Sequence, residues 1–122
     1  MKMQYHGFFR YFKRVLGMKN NDFVPRKVTI RNFIQTGCIF EIISPIESFR
    51  IEQYGNEEDF TRLILEELTE NDIFYDIGAS VGLVSIHAAK KCKYVFAFEP
   101  DPSIRSRLER NMLLNSFEAY PL

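Results

Sequence analysis

An α/β fold built on a parallel sheet is predicted by three features in the second half of the chain. Ile73 to Ile77 and Tyr94 to Phe98 are short apolar stretches of strand length. Val81 to about Lys90 lies between them as a helix, and such a crossover implies parallel pairing with both sheet faces covered. The turn into that helix is made of small residues. A third helix and the start of a further strand follow, so the pattern is β-α-β-α-β. That is the first half of a doubly wound, Rossmann-like sheet.

Each element has its own signals. Tyr5, Phe8, Phe9, Phe12, Val15 and Leu16 recur at helical spacing, with Arg10, Lys13 and Arg14 on the opposite side. The plain reading of this amphipathic helix is packing on the domain or on a partner protein. The sharper one is weak attachment to an anionic membrane surface. Val28 to Phe33 and Cys38 to Ser44 read as strands joined by a hairpin turn at Thr36-Gly37. Ser48 to Tyr54 alternates and reads as a third strand, giving an antiparallel annex. Asn56 is the expected cap of the next helix, with Glu57, Glu58 and Asp59 favouring the positive end of its dipole. Phe60, Leu63, Ile64 and Leu68 are its expected apolar face. Asp101 caps the last helix with Pro102 at its first position; Ile104, Leu108 and Met112 form its apolar face, and Asn115-Ser116 ends it. Phe117 to Leu122 reads as the start of the next strand. The expected division is residues 1–55 as helix and annex, and 56–122 as an incomplete first half of the sheet domain.

Bulk properties narrow the function classes. The 122 residues carry a formal net charge of +0, so no overall basic character points to nucleic acid. The two cysteines, Cys38 and Cys92, have no partner at metal-ligand spacing and are too few for a disulfide framework. No metal site is expected, and the acidic cluster at Glu57 to Asp59 reads as a solvated first turn. No apolar run reaches the length of a membrane span, and Arg10, Lys13 and Arg14 interrupt any secretory core. The expected location is the cytoplasm.

Chemistry concentrates in Asp76-Ile77-Gly78-Ala79-Ser80-Val81-Gly82. A strand-to-helix turn that meets a ligand needs small residues, because the backbone bends sharply and approaches closely. The following helix is expected to aim free N–H groups at that ligand. The spacing is not the G-x-G-x-x-G of dinucleotide sites, and Asp76 precedes the first glycine, where a carboxylate would repel a pyrophosphate. It suits a cationic ligand bearing an amino group, such as S-adenosylmethionine (SAM). Glu99 follows Asp76 by 23 residues at the end of the next strand, placed to hold both ribose hydroxyls, and Pro100 would pack against the adenine. An NAD-type half-domain and a non-catalytic interaction module are the competing readings.

These residues resemble the FkbM-type methyltransferases, which are class I SAM-dependent enzymes. The resemblance rests on Asp76 to Leu83, on Phe96 to Pro102, and on Leu108 with Asn111 and Asn115. It covers about half of the chain. It implies that Asp76, Gly78 and Gly82 form the turn that holds the methionine part of SAM and that Glu99 binds the ribose; Ala79, Ser80, Val81 and Pro100 complete the expected cofactor-binding set. One position departs from the family pattern: Ser80 stands where Asn is usual. The resemblance also implies O-methyl transfer to a small-molecule hydroxyl, of a sugar or secondary metabolite. No catalytic base is assigned. His87 reads as a surface or packing residue. The chain is expected to be a partial methyltransferase, inactive alone, whose incomplete sheet self-associates or takes a partner. Asp76→Ala and Gly82→Val are expected to remove SAM binding with little change in helix content.

Overall fold

The computed structural model describes residues 22–31, 37–54 and 57–117. The amphipathic stretch Tyr5 to Leu16, the turn residue Thr36, the expected cap Asn56 and most of the last expected strand lie outside them; the cap position of that helix falls at Glu57, which makes no side-chain capping bond. Strands β1 (Arg26–Ile30) and β2 (Cys38–Ile42) form an antiparallel pair, with Val28 opposite Phe40. Helix α1 (Pro45–Glu52) and helix α2 (Glu58–Glu67) follow. Strand β3 (Ile73–Ile77), helix α3 (Leu83–Ala89), strand β4 (Tyr94–Phe98) and helix α4 (Pro102–Leu114) complete the order. β3 and β4 pair in parallel, with Asp76 opposite Ala97. The architecture is α/β and matches part of a Rossmann-like fold.

One apolar core joins the annex to the parallel pair. Phe40, Ile42 and Ile51 from the annex meet Leu65 of α2 and Ile86 of α3, all fully buried. Leu108 of α4 is buried, while Ile104 and Met112 pack at the edge of the core, as their spacing predicts.

The strand expected over Ser48 to Tyr54 is instead the second half of α1. Ser44 caps that helix, its hydroxyl accepting from the Glu47 amide, and Pro45 occupies the first turn. The S-P-x-E start is a capping signal that outweighs the period-2 pattern after it. The apolar face of α2 is also rotated from expectation. Phe60 and Leu63 are exposed at 63% and 59%, while Thr61 and Leu65 are buried. Thr61, Leu65 and Leu68 share a face as well as the expected set does, and α3 packs against that one.

The parallel sheet is covered on one side only among the described residues. Phe74 and Val95 turn toward the core. Ile73, Tyr75, Ile77 and Tyr94 on the other face remain exposed, contrary to the expectation of two covered faces. Tyr75 stacks on Phe96 with ring centroids 5.1 Å apart, so the aromatic rings partly cover one another.

Polar side chains of α4 hold the free edge of β2. Asn115 accepts from the Ile39 amide at 2.8 Å and donates to the Ile39 carbonyl at 2.7 Å. Asn111, fully buried, accepts from the Glu41 amide and donates to the Val81 carbonyl, both at 2.9 Å. Arg107 pairs with Glu41 at 2.8 Å and Glu47 at 3.0 Å. A buried amide that loses such partners leaves unsatisfied groups behind. Asn111→Ala should therefore lower stability by about 2–4 kcal/mol. Arg110→Ala, which loses a half-exposed 3.5 Å contact to Glu41, should cost under about 0.5 kcal/mol. Urea denaturation of both variants tests this, and equal midpoints would contradict the role given to Asn111.

Candidate functional site

The strand-to-helix turn opens onto a crevice of about 240 Å³. Asp76, Gly78 and Ser80 form its floor, Arg50 of α1 one wall, and Glu57 and Thr61 at the start of α2 another. A larger hollow of about 360 Å³ lies beside β1. Its acid, Glu52, is already bonded to Arg26 and Ser48, so the turn crevice is the better candidate.

Three turn residues have left-handed backbone: Gly78 (φ +84°), Ser80 (φ +52°) and Gly82 (φ +94°). Asn tolerates that region better than Ser. Asn at position 80 would thus relieve the backbone for a reason independent of any ligand.

The turn amides are largely committed inward. Gly78 and Ala79 both donate to the Phe98 carbonyl, at 2.9 and 3.0 Å, and Gly82 donates to the Ala79 carbonyl. Ser80 donates to Glu99 Oε2 at 3.0 Å. A phosphate cradle needs such amides free to converge on the anion.

Asp76 is half-buried, and the Ser85 hydroxyl donates to its Oδ2 at 2.5 Å. Burial pushes its carboxyl above the usual aspartate range, with bonds from the Ser85 hydroxyl and amide acting in the opposite sense. Glu99 stands behind the turn. Its second oxygen accepts from the Asp101 amide at 3.0 Å, so one carboxylate ties together the two turns that follow β3 and β4. Pro100 is exposed beside it. Ala79 and Val81 are buried beneath the crevice.

Arg50 is a site residue that the strand reading of Ser48 to Tyr54 missed. Helix α1 carries it over the turn, where its Nη1 donates to Ser80 Oγ at 2.9 Å. The capping signal at Ser44 was the clue that could have found it. His87 has the opposite outcome. It is fully buried, stacks on Phe40 and places Nδ1 2.7 Å from the Leu83 carbonyl. Burial lowers its pKa, and it is a packing residue, one of the two roles its position suggested. Among the described residues no group of His, Cys, Asp or Glu is placed to hold a metal ion. No described helix is long and apolar enough to cross a membrane.

The two turn glycines differ in what a side chain would meet. A Cβ on Gly78 would point into open space. A Cβ on Gly82 would lie 2.6 Å from Leu108 Cδ1 and 3.2 Å from Ile86 Cδ1. The Cβ of a residue at 82 would thus meet the packed side chains of Leu108 and Ile86 and not the ligand's approach path, so Gly82→Val is expected to disturb folding as well as binding. Overpacking and the left-handed backbone together should cost about 2–5 kcal/mol. Circular dichroism should show lost helix or a clearly lower melting temperature; a native spectrum and melt would contradict this packing role.

No family model matches the chain. It is 39% identical over 72 residues to a hexuronic acid methyltransferase of Haloferax volcanii, covering 59% of this chain and 30% of that protein. It is 31% identical over 107 residues to an uncharacterized RNA methyltransferase of Caldanaerobacter subterraneus subsp. tengcongensis, covering 87% of this chain and 23% of the relative. A tRNA (guanine(37)-N(1))-methyltransferase of Vitis vinifera is 40% identical over 55 residues, which is 45% of this chain and 9% of that protein. The chain spans less than a third of the length of each of these curated relatives. Over partial lengths, then, it is similar to proteins that are named methyltransferases.

Proposed function

We propose that the chain holds the cofactor-binding part of a SAM-dependent O-methyltransferase of FkbM type, acting in the cytoplasm on the hydroxyl of a sugar or secondary metabolite. One observation carries the reading: a half-buried carboxylate, Asp76, lies in a crevice whose turn amides are already bonded inward. That arrangement favours a cation and disfavours a phosphate. The hexuronic acid methyltransferase relative supports a sugar as acceptor.

In this reading Asp76 faces the positive end of the ligand. Gly78 leaves room for its approach, and Ala79, Ser80, Val81 and Gly82 shape the turn. Glu99 accepts from the ribose hydroxyls with the lone pairs its two backbone bonds leave over, and Pro100 flanks the adenine. Bound there, the cofactor supplies a methyl group for in-line displacement by the acceptor oxygen. The protein's contribution is alignment. The uncovered β3–β4 face favours a second reading, an assembly module whose sheet is completed by another polypeptide.

Calorimetric titration with SAM and with NAD separates these. SAM should bind and NAD should not. Concentration-dependent association without SAM binding would select the assembly module. Gly37 has almost the same backbone as Gly78 (φ +83°) and equally open space at its Cβ. Gly37→Ala and Gly78→Ala should therefore cost similar stability, and only Gly78→Ala should weaken SAM binding. Equal affinity in the two variants would move the site elsewhere. The charge on Asp76 makes binding pH-dependent. Its pKa is raised, so the attraction is present above that pKa and lost as pH falls through it. Asp76→Asn should bind SAM about tenfold or more weakly, with no such acid-side loss. An unchanged acid limb in that variant would remove Asp76 from the cation contact.

A further inference from the structure

We propose that Arg50 receives the carboxylate of the cofactor's amino-acid part, and so selects ligands that carry an α-amino acid. This rests on the cofactor reading above and adds the anionic half of the recognition. Arg50 is the one cation among the residues lining the crevice, and it enters from α1, a different element from the one that carries Asp76. No carboxylate among the described residues pairs with it. Glu57 lines the same crevice and lies outside ion-pair distance of it. The bond to Ser80 Oγ uses one of five guanidinium N–H donors and fixes the head at the turn. Ser80 accepts in that bond, so its own O–H proton is left to donate to the same anion.

One guanidinium set against the half-buried Asp76 carboxylate, with Glu57 exposed at the crevice's edge, matches a zwitterion. A diphosphate would need more positive charge and would face Asp76. An uncharged nucleoside would leave Arg50 buried under ligand with no counter-charge. The α-amino acid tail satisfies both: its ammonium goes toward Asp76, and its carboxylate toward the Arg50 and Ser80 donors. Carboxylates bind the planar guanidinium fork through two parallel bonds, and Lys cannot reproduce that geometry.

Two probes that differ in this tail provide the test: S-adenosylhomocysteine, which has the amino acid, and 5′-methylthioadenosine, which lacks it. Neither carries the sulfonium charge. The full chain should bind both, the first more tightly. Arg50→Met should weaken S-adenosylhomocysteine about ten- to a hundredfold and leave 5′-methylthioadenosine unchanged. Arg50→Lys should fall between, which separates lost charge from lost fold. Equal weakening of both probes would make Arg50 a support for the Ser80 turn only, and no weakening of either would remove it from the site; each overturns the inference while leaving the cofactor reading in place. Failure of the unsubstituted chain to bind either probe would instead overturn the cofactor reading, and this inference with it.

Discussion

The open edge of β2 is closed by side-chain amides, and the position of the crevice depends on it. A strand edge presents unpaired N–H and C=O groups that must find partners when buried. β1 satisfies one edge of β2. On the other, Asn115 bonds both the amide and the carbonyl of Ile39, as a neighbouring strand would. Asn111 takes the Glu41 amide one pleat further along. Arg107, another helical turn back, bonds the Glu41 carbonyl and both carboxylates at that corner. The spacing of four residues puts all three on one face of α4. Because Asn111 also donates to Val81, the same helix grips the glycine turn. Annex, α4 and turn are thus fastened at one line of polar contacts, and α1 is carried along with β2 and Glu47 to a place where Arg50 overhangs Ser80.

The turn itself is braced from behind. Phe98 accepts two amides from it, and Glu99 accepts a third while holding the next turn through Asp101. Asp101 then caps α4 through the Ser103 amide. A chain of bonds therefore runs from the end of β3 to the start of the helix that fastens the annex. Backbone strain at Ser80 persists because its neighbours fix it: the Glu99 bond holds its amide and the Arg50 bond its hydroxyl. The asparagines of α4 and Glu99 at the end of β4 thus brace the same turn.

Much of this was legible in the sequence where local signals agree with tertiary ones. β3, β4, the Asp101 cap with Pro102, and the end of α4 at Asn115 all follow from period, capping and composition. Legibility failed where two patterns fit the same residues. Ser48 to Tyr54 alternates like a strand, yet the capping residues just before it commit the segment to helix. α2 carries two usable apolar faces, and only the position of α3 chooses between them. The bonds of Asn111 and Asn115 to β2 span at least 70 residues of sequence, so periodicity could not assign them. Gly82 looked like a ligand-facing glycine, although the atom it avoids belongs to Leu108. Arg50 became a site residue only once α1 was known to be a helix.

The electrostatics of the crevice follow from burial as much as from charge. Asp76 would be more stable as an ion in water than in its half-buried place, and its raised pKa expresses that cost. Ser85 offsets part of it with hydrogen bonds from its hydroxyl and its backbone amide. A bound cation would offset more, since attraction strengthens where water is thinned. Arg50 is held on the opposite terms: its head is anchored by a neutral hydroxyl, which positions the guanidinium without neutralising it. An acid destabilised by burial and a base held without a counter-ion favour one ligand carrying both signs over two independent ions, because one molecule relieves both deficits for a single loss of translational freedom. The spacing between α1 and the turn, fixed by the asparagine contacts at β2, therefore sets the separation of the two charged groups.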